Sequence, residues 1–311
     1  MSASDYELKR VEKRIKEVYS QASKEAKKRA DDYFLNFKKD DEIKKKALKD
    51  KKITKKQYVN WKRKTLKQSK VYDALADEIA NEFTNASKIA MDIVNGSMSK
   101  VYANSYNFGA YELEKGVRAN LGFTIYDRNS IKAIEDFADL LPKAKPNIPK
   151  EKRWNKIHIN TAVEQGIIQG DSMEVISKRL SSVAKMGENA AIRNARTMTI
   201  SATNLGRLET YNELSKAGIT VRKQWVATLD GKTRHSHRQL DGEIKSLDEK
   251  FSNGCRYPCD PYGKAEEIYN CRCTIVGKLV DFDDFPDKFE RNNKLGKMTY
   301  DEWKKEKLTK E

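Results

Sequence analysis

The residues of this chain that are able to do chemistry crowd into one short stretch. All four cysteines and two of the three histidines fall between His235 and Cys273, spaced as His235-x-His237, Cys255-x3-Cys259 and Cys271-x-Cys273. Zinc takes tetrahedral sets of thiolate and imidazole, and cysteines at short spacing in turn-rich, Gly- and Pro-containing segments are how small modules clamp it. Such a module holds little apolar surface, so the free energy of metal binding can serve as free energy of folding. Reduced structural thiols and a pair of disulfides are the two other readings of the same spacing; the disulfides require an oxidising compartment that nothing in the sequence implies.

The same stretch places Asp230, His235, His237, Asp241 and Glu243 close together, as a metal-dependent hydrolase or nuclease does. No His-Glu-x-x-His helix, nucleophile elbow, phosphate loop or dinucleotide fingerprint accompanies them. Histidine and aspartate on turns commonly cap and shape loops. The expectation is therefore a non-enzyme, with a nuclease using His235, His237 and Asp241 as the alternative. His158, alone within a helical pattern, reads as structural.

The elements that must carry this stretch are mostly helical. Apolar residues at Leu8, Val11, Ile15, Val18, Ala22, Ala26, Ala30, Phe34 and Phe37 recur every three or four positions, predicting one long amphipathic helix. The charged run from Lys38 to Lys52 is either an exposed helix or a connection. Thr54 to Gln57 is a capping box that opens a second helix. Val71, Leu75, Ile79, Phe83, Ala86, Ala90 and Ile93 continue the helical pattern to an expected stop near Asn95-Gly96. Three of the six prolines lie between Leu141 and Pro149, marking a hinge. Two short helices, Trp154 to Gly166 and Asp171 to Leu180, precede a longer one from about Asn189 to Ala217, with Gly218 as its C-cap. Only at Thr220 to Val226 does the period change to that of a strand. Turns and short strands run from Leu229 to Ile275, and a second capping box, Thr299 to Glu302, opens a terminal helix. The fold class is thus mainly α: a long helical N-terminal half with a small irregular α+β C-terminal module. Its expected divisions are a basic helical region 1–140, a Pro-rich hinge 141–150, the module 151–280 and a tail 281–311.

Charge is divided unequally along the 311 residues. The first seventy hold 24 basic and 11 acidic residues, a net +13 of the total +16, so the remainder is nearly neutral. A basic block of this kind draws polyanions, and covering several phosphates yields salt-sensitive affinity through counterion release. The candidate nucleic-acid contacts are Lys44, Lys45, Lys46, Lys51, Lys52, Lys55, Lys56, Lys62, Arg63 and Lys64. A solvated helical face is the plainer reading of the same residues. No run approaches the roughly 18 apolar residues a membrane-spanning helix needs, and the first residues are not a secretory signal.

One ordered series resembles a known family. Trp225, Ala227, Asp230, Thr233, Arg234, His237, Asp241 and Gly242, then Phe251, Tyr257-Pro258, Asp260-Pro261, Gly263 and Asn270-Cys271-Arg272-Cys273, is similar to the C-terminal signature of the phage Mu F-like minor head proteins, also called phage head morphogenesis proteins. The preceding helix, with Ala195-Arg196-Thr197 and Asn204-x-Gly206-Arg207, resembles the segment before that signature, so the likeness spans about Asp171 to Val276. It implies a minor component of a tailed-phage head that acts in head assembly at the portal vertex, contacts packaged double-stranded DNA without sequence readout, and in some phages leaves with it. The implied partners are the portal protein, the scaffold and the major capsid protein. The implied location is the capsid interior, with the host cytoplasm during assembly. His237, Cys271 and Cys273 occupy recurrent family positions, whereas Cys255 and Cys259 are additions that allow four thiolates, or three with His237, around a structural zinc. Trp225, Asp230, Thr233, Arg234, Asp241, Gly242 and Asn270 are implied as motif residues that set turns and hydrogen bonds. A sequence-nonspecific nucleic-acid-binding protein acting outside a virion is the alternative function.

Overall fold

A computed structural model of the chain describes residues 3–68, 70–127, 130, 141, 143, 145–169, 171, 173–280 and 289–310. Five long helices dominate: α1 (Ala3–Lys49), α2 (Lys55–Gln68), α3 (Lys70–Val117), α4 (Ile148–Gln169) and α5 (Met173–Lys216). Short elements follow: α6 (His235–Gln239), α7 (Ala265–Ile268), a 3-10 turn (Asn293–Lys297) and α8 (Tyr300–Lys310). The strands are β1 (Ala119–Asn120), β2 (Val221–Val226), β3 (Ile244–Ser246), β4 (Thr274–Leu279) and β5 (Glu290–Arg291). The architecture is mainly α with a small α+β C-terminal part, as the patterning predicts. Among the described residues no helix is long and apolar enough to cross a membrane.

The chain packs as two compact units, neither continuous in sequence. One consists of Glu12–Ile93 and Lys145–Ile192; the other of Met1–Val11, Val94–Ala144 and Arg193–Glu311. In the first, α1 buries Ile15, Tyr19, Ala22, Ala26 and Ala30. The three alanines, one turn apart, let a neighbouring helix approach closely; Tyr19 takes the inward place expected for Val18. Leu75, Ile79, Phe83, Ala86 and Ala90 of α3, Ile159, Val163 and Ile167 of α4, and Ile176, Leu180 and Val183 of α5 are buried with them. Two of the expected anchors, the side chains of Phe34 and Val71, lie outside the described residues, as does Pro142 of the hinge. Asn147 accepts a hydrogen bond from the Lys150 N–H (3.1 Å), capping α4, whose first turn holds Pro149.

The run Lys38 to Lys52 resolves into the end of α1 and a tight turn, and the Thr54 box forms as predicted. The Gln57 N–H donates to Thr54 Oγ1 at 3.1 Å and the Thr54 N–H to Gln57 Oε1 at 2.7 Å. α1 and α2 thereby make a helical hairpin, closed by stacking of Phe37 on Trp61 (5.6 Å between ring centroids) and of Tyr58 on Trp61 (6.1 Å).

The expected stop at Gly96 does not occur. α3 continues to Val117 because the residues beyond it, Met98, Val101, Ala103, Tyr106 and Ala110, keep the helical spacing and are buried. That packing outweighs the roughly 1 kcal/mol a mid-helix glycine costs. The expected pair of helices Asp171–Leu180 and Asn189–Ala217 is likewise one helix, α5, since Val183, Ala184 and Ala191 carry the buried face across the gap. It ends where expected, with Gly218 left-handed at φ 87°.

In the second unit, β2 is the centre of a three-stranded antiparallel sheet of order β3-β2-β4. Register pairs Gln224 with Ile244 and Trp225 with Ile275. Alternation turns Val221, Lys223 and Trp225 inward. Lys223 is buried yet satisfied: its ammonium donates to the Leu247 carbonyl at 2.7 Å, and burial draws its pKa down to about 8. α8 closes this unit: Glu114 of α3, fully buried, accepts from the Trp303 indole (2.7 Å), the Lys307 ammonium (2.8 Å) and the Leu121 N–H (2.9 Å). The capping box of α8 also forms, with Glu302 accepting from the Thr299 N–H at 2.8 Å.

α3 and α5 cross at backbone contact. A Cβ built on Gly206 of α5 falls 2.5 Å from the Tyr102 carbonyl oxygen and 3.1 Å from the Tyr106 nitrogen, both backbone atoms of α3. Gly206→Ala should therefore cost about 1–3 kcal/mol or more in urea unfolding, because the helices must separate. Gly96→Ala, which meets nothing within 4 Å among the described residues, should stabilise by about 0.5–1 kcal/mol.

Candidate functional site

The candidate centre is assembled from two short helices, one strand end and a tight loop. α6 places His237 in the interior, where its ring meets the edge of Trp225 (5.3 Å between centroids, 79°), which in turn meets Phe251 (5.1 Å). Cys271 and Cys273 lie immediately before β4, and β2 holds that strand in register under the imidazole. His237 Nδ1 is 3.4 Å from Cys271 Sγ and 3.4 Å from Cys273 Sγ. These three ligand atoms all lie within 4.8 Å of one another and all three residues are buried. On the opposite side of the ring, Nε2 is 3.0 Å from Glu267 Oε2 of α7. That same oxygen accepts from Ser236 Oγ (3.3 Å) and Asn253 Nδ2 (3.2 Å).

The other two cysteines are buried beside this triad. Cys259 donates to the Ile268 carbonyl at 3.2 Å, lies 3.7 Å from the Cys271 carbonyl, and makes side-chain contact with the Cys271 thiol. Its backbone is left-handed, at φ 63°. Cys255 packs against Gly263, on which a Cβ would fall 2.6 Å from its sulfur. Hydrogen bonding to Cys259, followed by burial, pushes the Cys271 thiol up to about 12, and the Cys271 neighbour pushes Cys273 upward with burial as the second cause. Burial raises Cys255 to about 11, reinforced by Asp260 and Glu267. A raised thiol pKa favours the protonated form, and a thiol that binds a divalent metal gives up its proton in doing so.

The remaining motif residues build the frame. Asp241 Oδ1 accepts the Ala227 N–H at 2.8 Å, and Gly242, at φ 84°, returns its N–H to the Trp225 carbonyl at 2.9 Å. Asp230 accepts from the Lys232 N–H (2.8 Å) and pairs with both terminal nitrogens of Arg272. The Arg272 contact, with the Lys232 bond second, holds its carboxyl well below the ordinary range. Thr233 bonds the Thr228 carbonyl and Arg234 the Tyr269 carbonyl. Asn270, left-handed at φ 56°, donates its N–H to Thr197 Oγ1 at 2.8 Å and accepts from Arg196 at 3.2 Å. His235 is exposed and outside the cluster, and His158 stacks on Trp154 while its Nδ1 contacts the Trp154 carbonyl.

Three partners carry no sequence signal of their role. Glu267 and Asn253 stand far from His237 in the chain and belong to no spacing rule. Asn204, fully buried on α5, was noticeable only through the family resemblance. Its Oδ1 accepts from the Ile275 N–H (3.0 Å) and Thr274 Oγ1 (3.0 Å), and its Nδ2 faces the carbonyls of Ile200 (3.0 Å), Pro258 (3.2 Å) and Cys273 (3.3 Å).

The basic residues singled out in the sequence sit on the α1–α2 hairpin. Lys45, Lys46, Lys51, Lys52, Lys55, Lys56, Arg63 and Lys64 are exposed, joined at the turn by Lys49. Lys44 is half-buried, 6.0 Å from the centre of the Trp61 ring. Lys62 differs from the rest: it is 4% exposed, donates to the Ile167 carbonyl at 3.2 Å and lies 3.7 Å from Asp41. Burial disfavours the Asp41 charge, but Lys45, the Tyr58 hydroxyl (2.5 Å) and Lys62 outweigh it and lower its pKa. The charge of Lys62 is thus compensated inside its own unit.

The chain is similar in sequence to known proteins. The family model described as Phage Mu protein F like protein matches residues 157–276. Minor head protein GP7 of Bacillus phage SPP1 is 25% identical over 274 residues, covering 86% of this chain and 82% of that one. The NAD(+)–arginine ADP-ribosyltransferase EFV of Enterococcus faecalis is 25% identical over 236 residues, which are 74% of this chain and 48% of that protein. The uncharacterized protein YqbB of Bacillus subtilis is 25% identical over 130 residues, 40% of this chain and 41% of its own length. The matched portion is therefore less than half of each of the latter two. No solved structure matches the chain.

Asn204→Ala should strip partners from the Ile275 N–H and from the facing carbonyls at once. At about 1–3 kcal/mol for each buried group left unpaired, it should lower stability in urea unfolding by at least about 2 kcal/mol and speed labelling of the four cysteines. Asn204→Asp keeps the acceptor but removes the donor and buries a charge, and should cost at least as much.

Proposed function

With residues 157–276 forming a Phage Mu protein F like module, we propose that this chain is a minor head protein of a tailed bacteriophage, acting in head assembly at the portal vertex. The observation that carries the reading is the alignment with a phage minor head protein along 86% of the chain, through the helical segments as well as the module. The protein works as a structural component rather than an enzyme. In support, the acids and imidazole of the signature are already engaged in the fold: Asp241 on a backbone N–H, Asp230 on Arg272, His237 between Glu267 and two sulfurs. The portal protein is its principal partner, with the scaffold and major capsid protein as further contacts, and the particle interior is its place.

The α1–α2 hairpin is the DNA-contacting part of this reading. Its exposed lysines ring a turn that contains a single acidic residue between Lys44 and Lys56, Asp50. Contact with phosphates through such a tip is independent of base sequence and strongly dependent on salt. The same reading gives the buried cysteine–histidine centre one structural zinc, which stabilises a module of short elements and turns.

Mass spectrometry of purified particles, together with gene deletion, tests the head assignment: the protein should be present in particles, and deletion should cut infectious yield. Presence only outside particles, with normal yield after deletion, favours a nucleic-acid-binding protein acting elsewhere. For the hairpin, the quadruple variant K46E/K49E/K52E/K56E should keep the native circular dichroism spectrum. It should lose most of its DNA retention at about 50 mM salt, and its salt dependence should flatten by roughly 0.9 in log–log slope for each phosphate contact removed. Unchanged affinity and slope would place the DNA contact elsewhere on the chain.

A further inference from the structure

We infer that the metal is held by His237 Nδ1 and the thiolates of Cys259, Cys271 and Cys273, with Glu267 as the residue that positions the imidazole and Cys255 left outside. This rests on the structural zinc proposed above and specifies its ligands. The separations support it first. Zinc bonds of about 2.0–2.1 Å to nitrogen and about 2.3 Å to sulfur put two such ligands about 3.5 Å apart on a tetrahedron. His237 Nδ1 lies 3.4 Å from each of the two sulfurs of Cys271 and Cys273, so both nitrogen–sulfur separations already suit the ion.

The fourth corner is assigned to Cys259, whose sulfur lies 3.7 Å from the Cys271 carbonyl oxygen and has to shift to join the three ligand atoms that already lie within 4.8 Å of one another. Its backbone gives an independent reason. At φ 63° a residue with a Cβ is strained, and a position of this kind is ordinarily glycine. A cysteine there keeps its thiol beside Cys271 against the preference of its own backbone, the mark of a side chain retained for what it binds. Asp260, next in sequence and buried, holds the loop in that shape. Its carboxylate accepts from the N–H groups of Arg256 (2.9 Å) and Tyr262 (3.1 Å) and from the Arg256 guanidinium (3.0 Å). Cys255 has no such placement: its sulfur is wedged against Gly263, and its N–H bonds Asn253 Oδ1 at 3.1 Å.

Glu267 completes the arrangement from behind. With Nε2 donating to its carboxylate at 3.0 Å, His237 is fixed in the tautomer that leaves the Nδ1 lone pair facing the sulfurs. Ser236 and Asn253 donate to the same carboxylate oxygen and hold it in place.

Full-length protein loaded with zinc or cobalt(II) tests the assignment, through elemental analysis, the thiolate-to-cobalt absorption bands and competition with a chelator. The wild type should bind one metal per chain with the bands of three thiolates and a tetrahedral cobalt spectrum. Cys255→Ser should leave stoichiometry and spectrum unchanged. Cys259→Ser and Cys259→Gly should both lose the intensity of one thiolate bond and release zinc more readily; in the glycine variant the backbone strain is relieved, so that loss is not a folding defect. Glu267→Gln should keep all three thiolate bands while zinc affinity falls about 10–100-fold. Loss of a band in Cys255→Ser, with Cys259→Ser like wild type, overturns this ligand set yet leaves the structural zinc standing. A wild type that takes up no metal and shows four freely titrating thiols overturns the zinc itself.

Discussion

The cysteine module depends on one buried amide. From Leu229 to Ile275 the chain is turns, short strands and two helices of five and four residues, too little regular structure to hold itself together by backbone pairing. Asn204 supplies the missing tie. Standing on the long, rigid α5, it offers an acceptor to the first residues of β4 and a donor to the carbonyls of Pro258 and Cys273. In a dry interior each of these groups carries a heavy desolvation cost unless paired, so the amide sets the position of the strand and of the loop bearing the cysteines together. Arg207, one turn along the same helix, donates to the Ile275 carbonyl at 3.1 Å and extends the tie. Once β4 is placed, its pairing with β2 puts Trp225 opposite Ile275, and Trp225 gives His237 a wall to pack on.

Close approach of α3 to α5 underlies this position of Asn204. Gly206 brings α5 onto the backbone of α3, and Thr210, one turn further, donates to the Tyr106 carbonyl at 3.1 Å. The helical unit solves its own packing differently, through the alanine stripe of α1 and a core of branched and aromatic residues. Its hairpin is held by aromatic stacking on Trp61 and by the buried Lys62–Asp41–Tyr58 group, while Lys46, Lys49, Lys51, Lys52, Lys55 and Lys56 face solvent. A rigid hairpin that displays like charges is electrostatically costly in isolation and favourable against a polyanion. That contrast is the physical basis of the proposed DNA contact.

Much of this organisation is legible in the residues. Helical spacing, both Thr capping boxes, the Gly218 C-cap and the strand at Val226 appear as read, because each is a local rule satisfied within a few residues. The expected helix ends that the structure does not have, at Gly96 and between Leu180 and Asn189, are places where a local signal for stopping meets a buried face that continues. There tertiary burial outweighs a propensity of about 1 kcal/mol. The order of the signature motifs is legible too, because turn residues at fixed offsets form a pattern along the chain, and the family model matches the residues that carry it, within 157–276.

The sequence alone thus determined that the chain is mainly helical, that its positive charge sits at one end, and that its cysteines and histidines gather in one stretch near the other. Only the tertiary structure decided which of those residues meet. It brings His237 to Cys271 and Cys273 across more than thirty positions, leaves His235 in solvent, turns Lys62 inward, and recruits Glu267 and Asn204, which no spacing rule marks. The physical reason is the range of the interactions. Caps, periods and net charge follow from neighbours along the chain, whereas the partners of a buried polar or metal-binding group are chosen by which backbones pack close enough to exclude water.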